Sequence, residues 1–159
     1  MKIGIVSDTH SLELPPQMIQ DFLKVDLIVH AGDFCSWEDV EKFRKIKDLQ
    51  AVHGNMDDPN IRRSFPRKQI LKFGSLKVGL FHGDGPAAMV LENVKAEFAK
   101  EKVDSIIFGH SHQPFNETIE QVLFLNPGSP NDTIRAPYRS YGILEIADKK
   151  IVGKIVKVK

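Results

Sequence analysis

Five short polar clusters hold four of this chain's six histidines beside carboxylates and an amide, the groups that could ligate a metal or move a proton. They are Asp8-Thr9-His10, Gly32-Asp33, Gly54-Asn55-Met56-Asp57, His82-Gly83-Asp84 and Gly109-His110-Ser111-His112. Each offers a carboxylate, an imidazole or an amide, and glycines beside most of them permit sharp turns and close backbone approach. Alone, an Asp-x-His or a Gly-Asp pair says little, since this composition yields them by chance roughly 0.4 and 0.8 times per chain. Gly-Asn-x-Asp and Gly-His-x-His are far rarer, at about 0.03 and 0.015 times. A surface turn, a helix cap or a loop with solvated imidazoles would explain any one cluster. The five together, in this order, point to one site.

Buried strands must position them. Ile3-Gly4-Ile5-Val6, Leu27-Ile28-Val29 and Ala51-Val52 are apolar runs too short for helices, and each ends at one of the clusters. Between them lie stretches with helical spacing. Pro15 and Pro16 suit a first helical turn before Met18, Ile19 and Phe22, and Ser36 can cap a helix carrying Val40, Phe43 and Ile46. Strand–helix alternation implies parallel strands at the start. In open α/β sheets ligands bind beyond the carboxyl ends of the strands, where these clusters fall. Residues 59–69, with Pro59, Pro66, Arg62, Arg63, Arg67 and Lys68, read as a loop. Strands are expected near 70–73, 77–82, 106–108, 115–119, 122–125, 141–146 and 151–158, with a helix over 86–100. The late strands have no helices between them, so hairpins and antiparallel pairing are expected there. His30 and His53 lie within strands, and His30 reads as a hydrogen-bonded core residue.

Composition limits the options without choosing among them. The chain has 159 residues, 42% apolar and 27% charged, which suits a single domain spanning 1–159. Its 22 basic and 21 acidic residues leave a net charge of +1, which argues against binding nucleic acid by bulk electrostatics. A single cysteine, Cys35, excludes an internal disulfide framework and fits a reducing compartment. No run is long enough to cross a membrane and no leader pattern opens the chain. The expectation is a cytoplasmic protein.

In order and spacing the clusters resemble the calcineurin-like metallophosphoesterases, and within them the small single-domain phosphodiesterase branch. The Asn126-Pro127-Gly128-Ser129 loop and the Ser140-Tyr141 strand start also resemble that branch. The resemblance implies an α/β fold, a sandwich of two mixed β-sheets flanked by helices. It further implies two divalent metal ions. Asp8, His10, Asp33 and His112 would hold one, and Asp33, Asn55, His82 and His110 the other, with Asp33 bridging. Mixed nitrogen and oxygen donors suit Mn, Ni, Zn, Fe or Co better than Ca, with Mn the first choice and Mg an option. Asp57 would orient a ligand or a water. Asp33, Asn55 and Asp57 would thus carry the chemistry, in which a water activated by two metals attacks phosphorus in line without a covalent intermediate.

Two positions depart from the common pattern. Many relatives place histidine where this chain has Met56, and a thioether cannot protonate a leaving group. Met56 therefore favours a small phosphodiester substrate over an alkyl monoester. Many relatives also read His-Gly-His where this chain has His82-Gly83-Asp84. The competing readings are a phosphomonoesterase, a nuclease, which the near-neutral charge disfavours, and a non-catalytic protein-binding scaffold resembling the retromer subunit of this fold. Completeness of the seven ligand positions favours the enzyme. A homo-oligomer is compatible with all of these.

Overall fold

In the computed structural model, which describes residues 1–159, the expected strand–helix alternation opens the chain. Strand β1 (Lys2–Val6) leads through helix α1 (Pro16–Phe22) to β2 (Leu27–His30), then through α2 (Trp37–Ile46) to β3 (Leu49–Ala51). These three strands are parallel. Pro16 opens α1 with its fixed φ, as expected, but Ser36 does not cap α2 with its side chain. Its hydroxyl instead accepts the Ser11 O–H at 2.7 Å.

The stretch read as a loop contains a short helix, α3 (Pro59–Ser64). The Asp58 carboxylate caps it by accepting the Ile61 N–H at 2.9 Å, Pro59 starts it, and Ile61 is buried against the core. Then come β4 (Lys68–Phe73), β5 (Leu76–Phe81), a 3₁₀ turn at Ala87–Met89, α4 (Val90–Glu97), β6 (Ser105–Ile107), β7 (Phe115–Ile119), β8 (Val122–Asn126), β9 (Ser140–Ala147) and β10 (Lys150–Lys157). The helix expected over 86–100 is thus a turn followed by a shorter helix.

Two five-stranded mixed sheets result, in the orders β10-β9-β1-β2-β3 and β4-β5-β6-β8-β7. The late hairpins β7–β8 and β9–β10 are antiparallel, as expected. However, β8 also pairs parallel to β6, because β7 takes the sheet edge and its hairpin returns the chain alongside β6. Strand alternation then sorts the side chains. Ile3, Ile5, Val29, Val78, Leu80, Ile107 and Leu125 fill the space between the sheets. Met18, Phe22, Val40, Phe43 and Ile61 pack on the outer face of the first sheet, and Val90, Val94 and Phe98 on that of the second. Each such fully buried aliphatic or aromatic side chain contributes roughly 1.5–3 kcal/mol, so both sheets are firmly held where their loops meet.

Candidate metal centre

The loops after β1, β2, β3, β5 and β6 meet at one end of the sandwich. Backbone hydrogen bonds tie them together: Asp8 N donates to Gly32 O at 3.0 Å and His10 N to Asp33 O at 3.1 Å. Five of the candidate residues sit in the left-handed region that L-residues seldom occupy, with φ of 58° at Asp8, 51° at His10, 61° at Asp33, 68° at His110 and 57° at His112. Such conformations persist only where the surroundings enforce them, and they concentrate at functional sites. Two glycines let the loops approach. A Cβ on Gly54 would strike the Asp33 carboxylate, and one on Gly109 would strike the Ser7 hydroxyl and Asp8.

Four imidazoles converge, each held by one nitrogen and aimed with the other. His82 Nδ1 donates to Ala31 O at 2.7 Å, which leaves Nε2 facing inward, 3.1 Å from Asn55 Oδ1 and 3.3 Å from Asp33 Oδ2. His110 Nε2 donates to Gly85 O at 2.9 Å, and its Nδ1 lies 2.9 Å from Asn55 Oδ1 and 3.3 Å from His82 Nε2. His112 Nδ1 is held by Asp132 Oδ2 at 2.5 Å, and its Nε2 points to Asp8 Oδ1 at 3.3 Å. His10 Nδ1 lies 3.2 Å from the Cys35 sulfur, and its Nε2 is 3.2 Å from His112 Nε2. Fixing one ring nitrogen sets the tautomer and frees the other lone pair for a cation.

Asp8 is fully buried. Its Oδ2 accepts the His110 N–H at 3.0 Å, but its Oδ1 has no hydrogen-bond partner. Burial alone would raise the Asp8 carboxyl, yet the His112 and His82 imidazoles outweigh it and bring it down to about 2. Burial would likewise lower His82, while Asp33 and Asp8 reverse that and raise it to about 9. His112 is raised too: burial opposes the shift, and Asp8 and Asp132 prevail. An unpartnered buried carboxylate oxygen facing inward-aimed imidazole nitrogens is the arrangement a divalent cation satisfies. Asp8 with His10 and His112 forms one group able to hold a cation, and Asp8 with Asp33 and His82 forms another. Asp8 is common to both groups, and Asp33 stands in the second. Asp33 turns Oδ1 to the Met56 N–H at 2.8 Å and leaves Oδ2 toward His82.

Comparison with known proteins decides the family. The model of the calcineurin-like phosphoesterase superfamily domain matches residues 1–149. The chain belongs to that superfamily. A probable metallophosphoesterase of Methanocaldococcus jannaschii is 37% identical, over 99% of this chain and 82% of its own length. An archaeal phosphodiesterase of solved structure superposes with a TM-score of 0.77 at 27% identity, covering 98% of this chain and all of its own. Vps29 of Chaetomium thermophilum superposes with a TM-score of 0.78 at 19% identity over the whole of both chains, a likeness of fold alone.

Within this calcineurin-like frame the remaining residues find their places. Asp57 turns away from the converging nitrogens. Its Oδ2 accepts the N–H groups of Asp33 and Gly54 at 3.0 and 2.7 Å, and its Oδ1 that of Cys35 at 2.8 Å. It thus locks the Asp33 loop to the Asn55 loop. His30 is buried away from the site, stacked on Phe34 at 3.5 Å, with Nδ1 accepting the Gly32 N–H at 3.1 Å. Burial holds its imidazole well below the usual histidine range. His53 does not reach the converging nitrogens; its Nδ1 lies 3.4 Å from Gly54 O. Trp37 packs near Phe65 and under Arg44. Burial, with Asp33 and Asp57, pushes the Cys35 thiol up to about 12, which disfavours its thiolate. Asp84 pairs with Arg67 at 3.2 Å.

Asp132 and Arg135 have no signal in the residue pattern, and Arg62 reads there only as part of a basic loop. Asp132 orients His112. Arg62, from the basic stretch, donates Nε to Asp57 O at 2.8 Å and Nη2 to Asn55 O, and so props the Asn55 loop. Arg135 lines the cleft above the centre. Arg67 and Lys68 are paired with Glu97, and Lys68 also with Glu101.

Proposed function

We propose that this chain, working as one domain over 1–159, is a metal-dependent phosphodiesterase with two divalent ions. Asp8, His10, Asp33 and His112 would hold one ion, and Asp33, Asn55, His82 and His110 the other, with manganese the first choice. The observation that carries the reading is the set of four imidazoles, each anchored at one nitrogen and aimed inward with the other, three of them (His10, His82 and His112) within 3.3–3.9 Å of the unpartnered Asp8 Oδ1. Bound cations would supply Lewis acidity, an acidified water and neutralisation of charge on the phosphoryl oxygens.

The chain's own residues do the rest. Asn55 brings a neutral oxygen donor, which limits negative charge facing an anionic substrate. Asp57 and Arg62 fix where that donor sits. Met56 lines the cleft and is 58% exposed, so the position that would carry a proton donor offers a thioether. A diester with a leaving group that departs unprotonated therefore suits the site better than an alkyl monoester. The lone Cys35 and the near-neutral charge favour a cytoplasmic enzyme acting on a small substrate rather than on nucleic acid.

Chelator-stripped protein resupplied with Mn, Ni, Zn or Mg should hydrolyse bis-p-nitrophenyl phosphate faster than p-nitrophenyl phosphate, and Asp33→Ala should abolish both. Folded protein that turns over neither ester with any metal would overturn the proposal.

A further inference from the structure

Above the proposed centre lies a cleft of about 580 Å³, within the usual size for a small-molecule site. Its floor is polar: His10, Asp33, Asn55, His110 and His112. Its rim differs. Only eight large hydrophobic side chains are exposed on the whole chain, and three of them, Leu12, Met56 and Ile134, line this one cleft at 52%, 58% and 92% exposure. They come from three separate loops, and each follows a site residue closely: Leu12 follows His10, Met56 follows Asn55, and Ile134 follows Asp132. Exposing apolar surface has a cost in water, and convergence from three loops is the pattern of a ligand contact rather than of scattered surface.

The Ile134 loop is built rather than slack. Asp132 Oδ1 accepts the N–H groups of Ile134 and Arg135 at 2.7 and 3.0 Å. Ser129 Oγ accepts the N–H groups of Asn131 and Asp132, and Asn131 Nδ2 donates to Thr9 O at 2.9 Å. Arg135 O accepts from Gln113 Nε2 at 2.8 Å. The exposed Arg135 side chain has no carboxylate within ion-pair distance and is the one arginine lining this cleft, while Arg62 and Arg67, which line the neighbouring pocket beside Asn55 and His82, are engaged.

We propose that this rim selects the substrate class: a phosphodiester bearing at least one large apolar or aromatic group, which rests on Leu12, Met56 and Ile134 while Arg135 faces the anionic phosphate. The proposal rests on the phosphodiesterase reading and names its substrate class. It also assigns separate tasks, with Arg135 serving the charge common to all diesters and the apolar trio serving the substituent.

Binding of three unreactive diesters tests this without requiring turnover. Dimethyl, dibutyl and diphenyl phosphate would be titrated calorimetrically into manganese-loaded wild type, Leu12→Ser, Ile134→Ser and Arg135→Gln. All three substituted side chains are exposed, so the fold should hold, with circular dichroism melts as the check. Wild type should bind the larger diesters about tenfold more tightly than dimethyl phosphate, on the scale of a few methylenes in a partly open apolar contact. Tighter binding of diphenyl phosphate would mark a flat ring, as in a nucleoside, and tighter binding of dibutyl phosphate an aliphatic group, as in a lipid. Ile134→Ser and Leu12→Ser should each reduce the preference about threefold and leave dimethyl phosphate unchanged. Arg135→Gln should weaken all three ligands about equally. Equal affinity of wild type for the three diesters, or a preference that survives both serine variants, would overturn the proposal. Failure of the phosphodiesterase reading would show separately, as absence of bis-p-nitrophenyl phosphate turnover.

Discussion

The two sides of the proposed centre are anchored by different chemistry. His82 and His110 are held by backbone carbonyls, those of Ala31 and Gly85. His112 and His10 are held by side chains, the Asp132 carboxylate and the Cys35 sulfur. A carbonyl at a strand end moves only if the loop moves, whereas a side-chain anchor can be changed by one substitution. The backbone-anchored side is therefore set by the fold, and the other side can be tuned by sequence. His82 illustrates the first case at 2% exposure, and His10 the second at 26%.

Substitutions should separate the two sides. Removing a ligand from the backbone-anchored side has the largest expected effect. His82→Ala should lose one metal in elemental analysis and roughly 10³-fold in kcat/KM, with no recovery at high metal. Asp132→Asn should act more gently. It keeps the shape but removes the charge behind His112, so metal affinity on that side should fall about 10–100-fold while kcat returns at saturating metal. An Asp132→Asn defect as severe as that of His82→Ala would end the distinction between the sides.

Loading should also release protons. In the metal-free protein His82, raised to about 9, carries a proton at neutral pH and His112 is shifted in the same direction, and a bound cation would displace protons from these rings. Calorimetric titration with manganese at pH 7, repeated in buffers of different ionisation heat, should show release of about one to two protons. A heat independent of buffer would contradict this. The same groups set the pH response of the metal-free fold. His82, raised from 6.5 to about 9, contributes stability that is complete below about pH 6.5 and lost as pH rises through about 9. The melting temperature of stripped protein should therefore decline over that window, and that of loaded protein should decline less. The smallest effect is expected at Cys35. A thiol is a weak hydrogen-bond partner, so Cys35→Ser should change metal affinity by no more than about threefold.

Much of this site was legible in the residues because it uses unusual side chains at the ends of short apolar strands. Asp8, Asp33, His82 and the Gly109-His110-Ser111-His112 cluster each follow such a run, and parallel strands bring such ends together. The hidden parts depend on contacts that spacing does not encode. Asp132 reaches His112 across a loop whose shape is set by Ser129 Oγ and Asn131, so nothing near His112 announces its anchor. Helix α3 was obscured by the prolines and basic residues of 59–69, although Asp58 before Pro59 is a helix-start pattern. The parallel pairing of β6 with β8 depends on β7 taking the edge, which a run of closely spaced strands does not specify.

The most direct test titrates manganese into stripped protein while both bound metal and bis-p-nitrophenyl phosphate hydrolysis are followed. Two proposed positions that act together should give activity that stays low through the first equivalent and reaches its plateau at two. A plateau at one equivalent, or two bound equivalents without turnover, would contradict a two-metal phosphodiesterase.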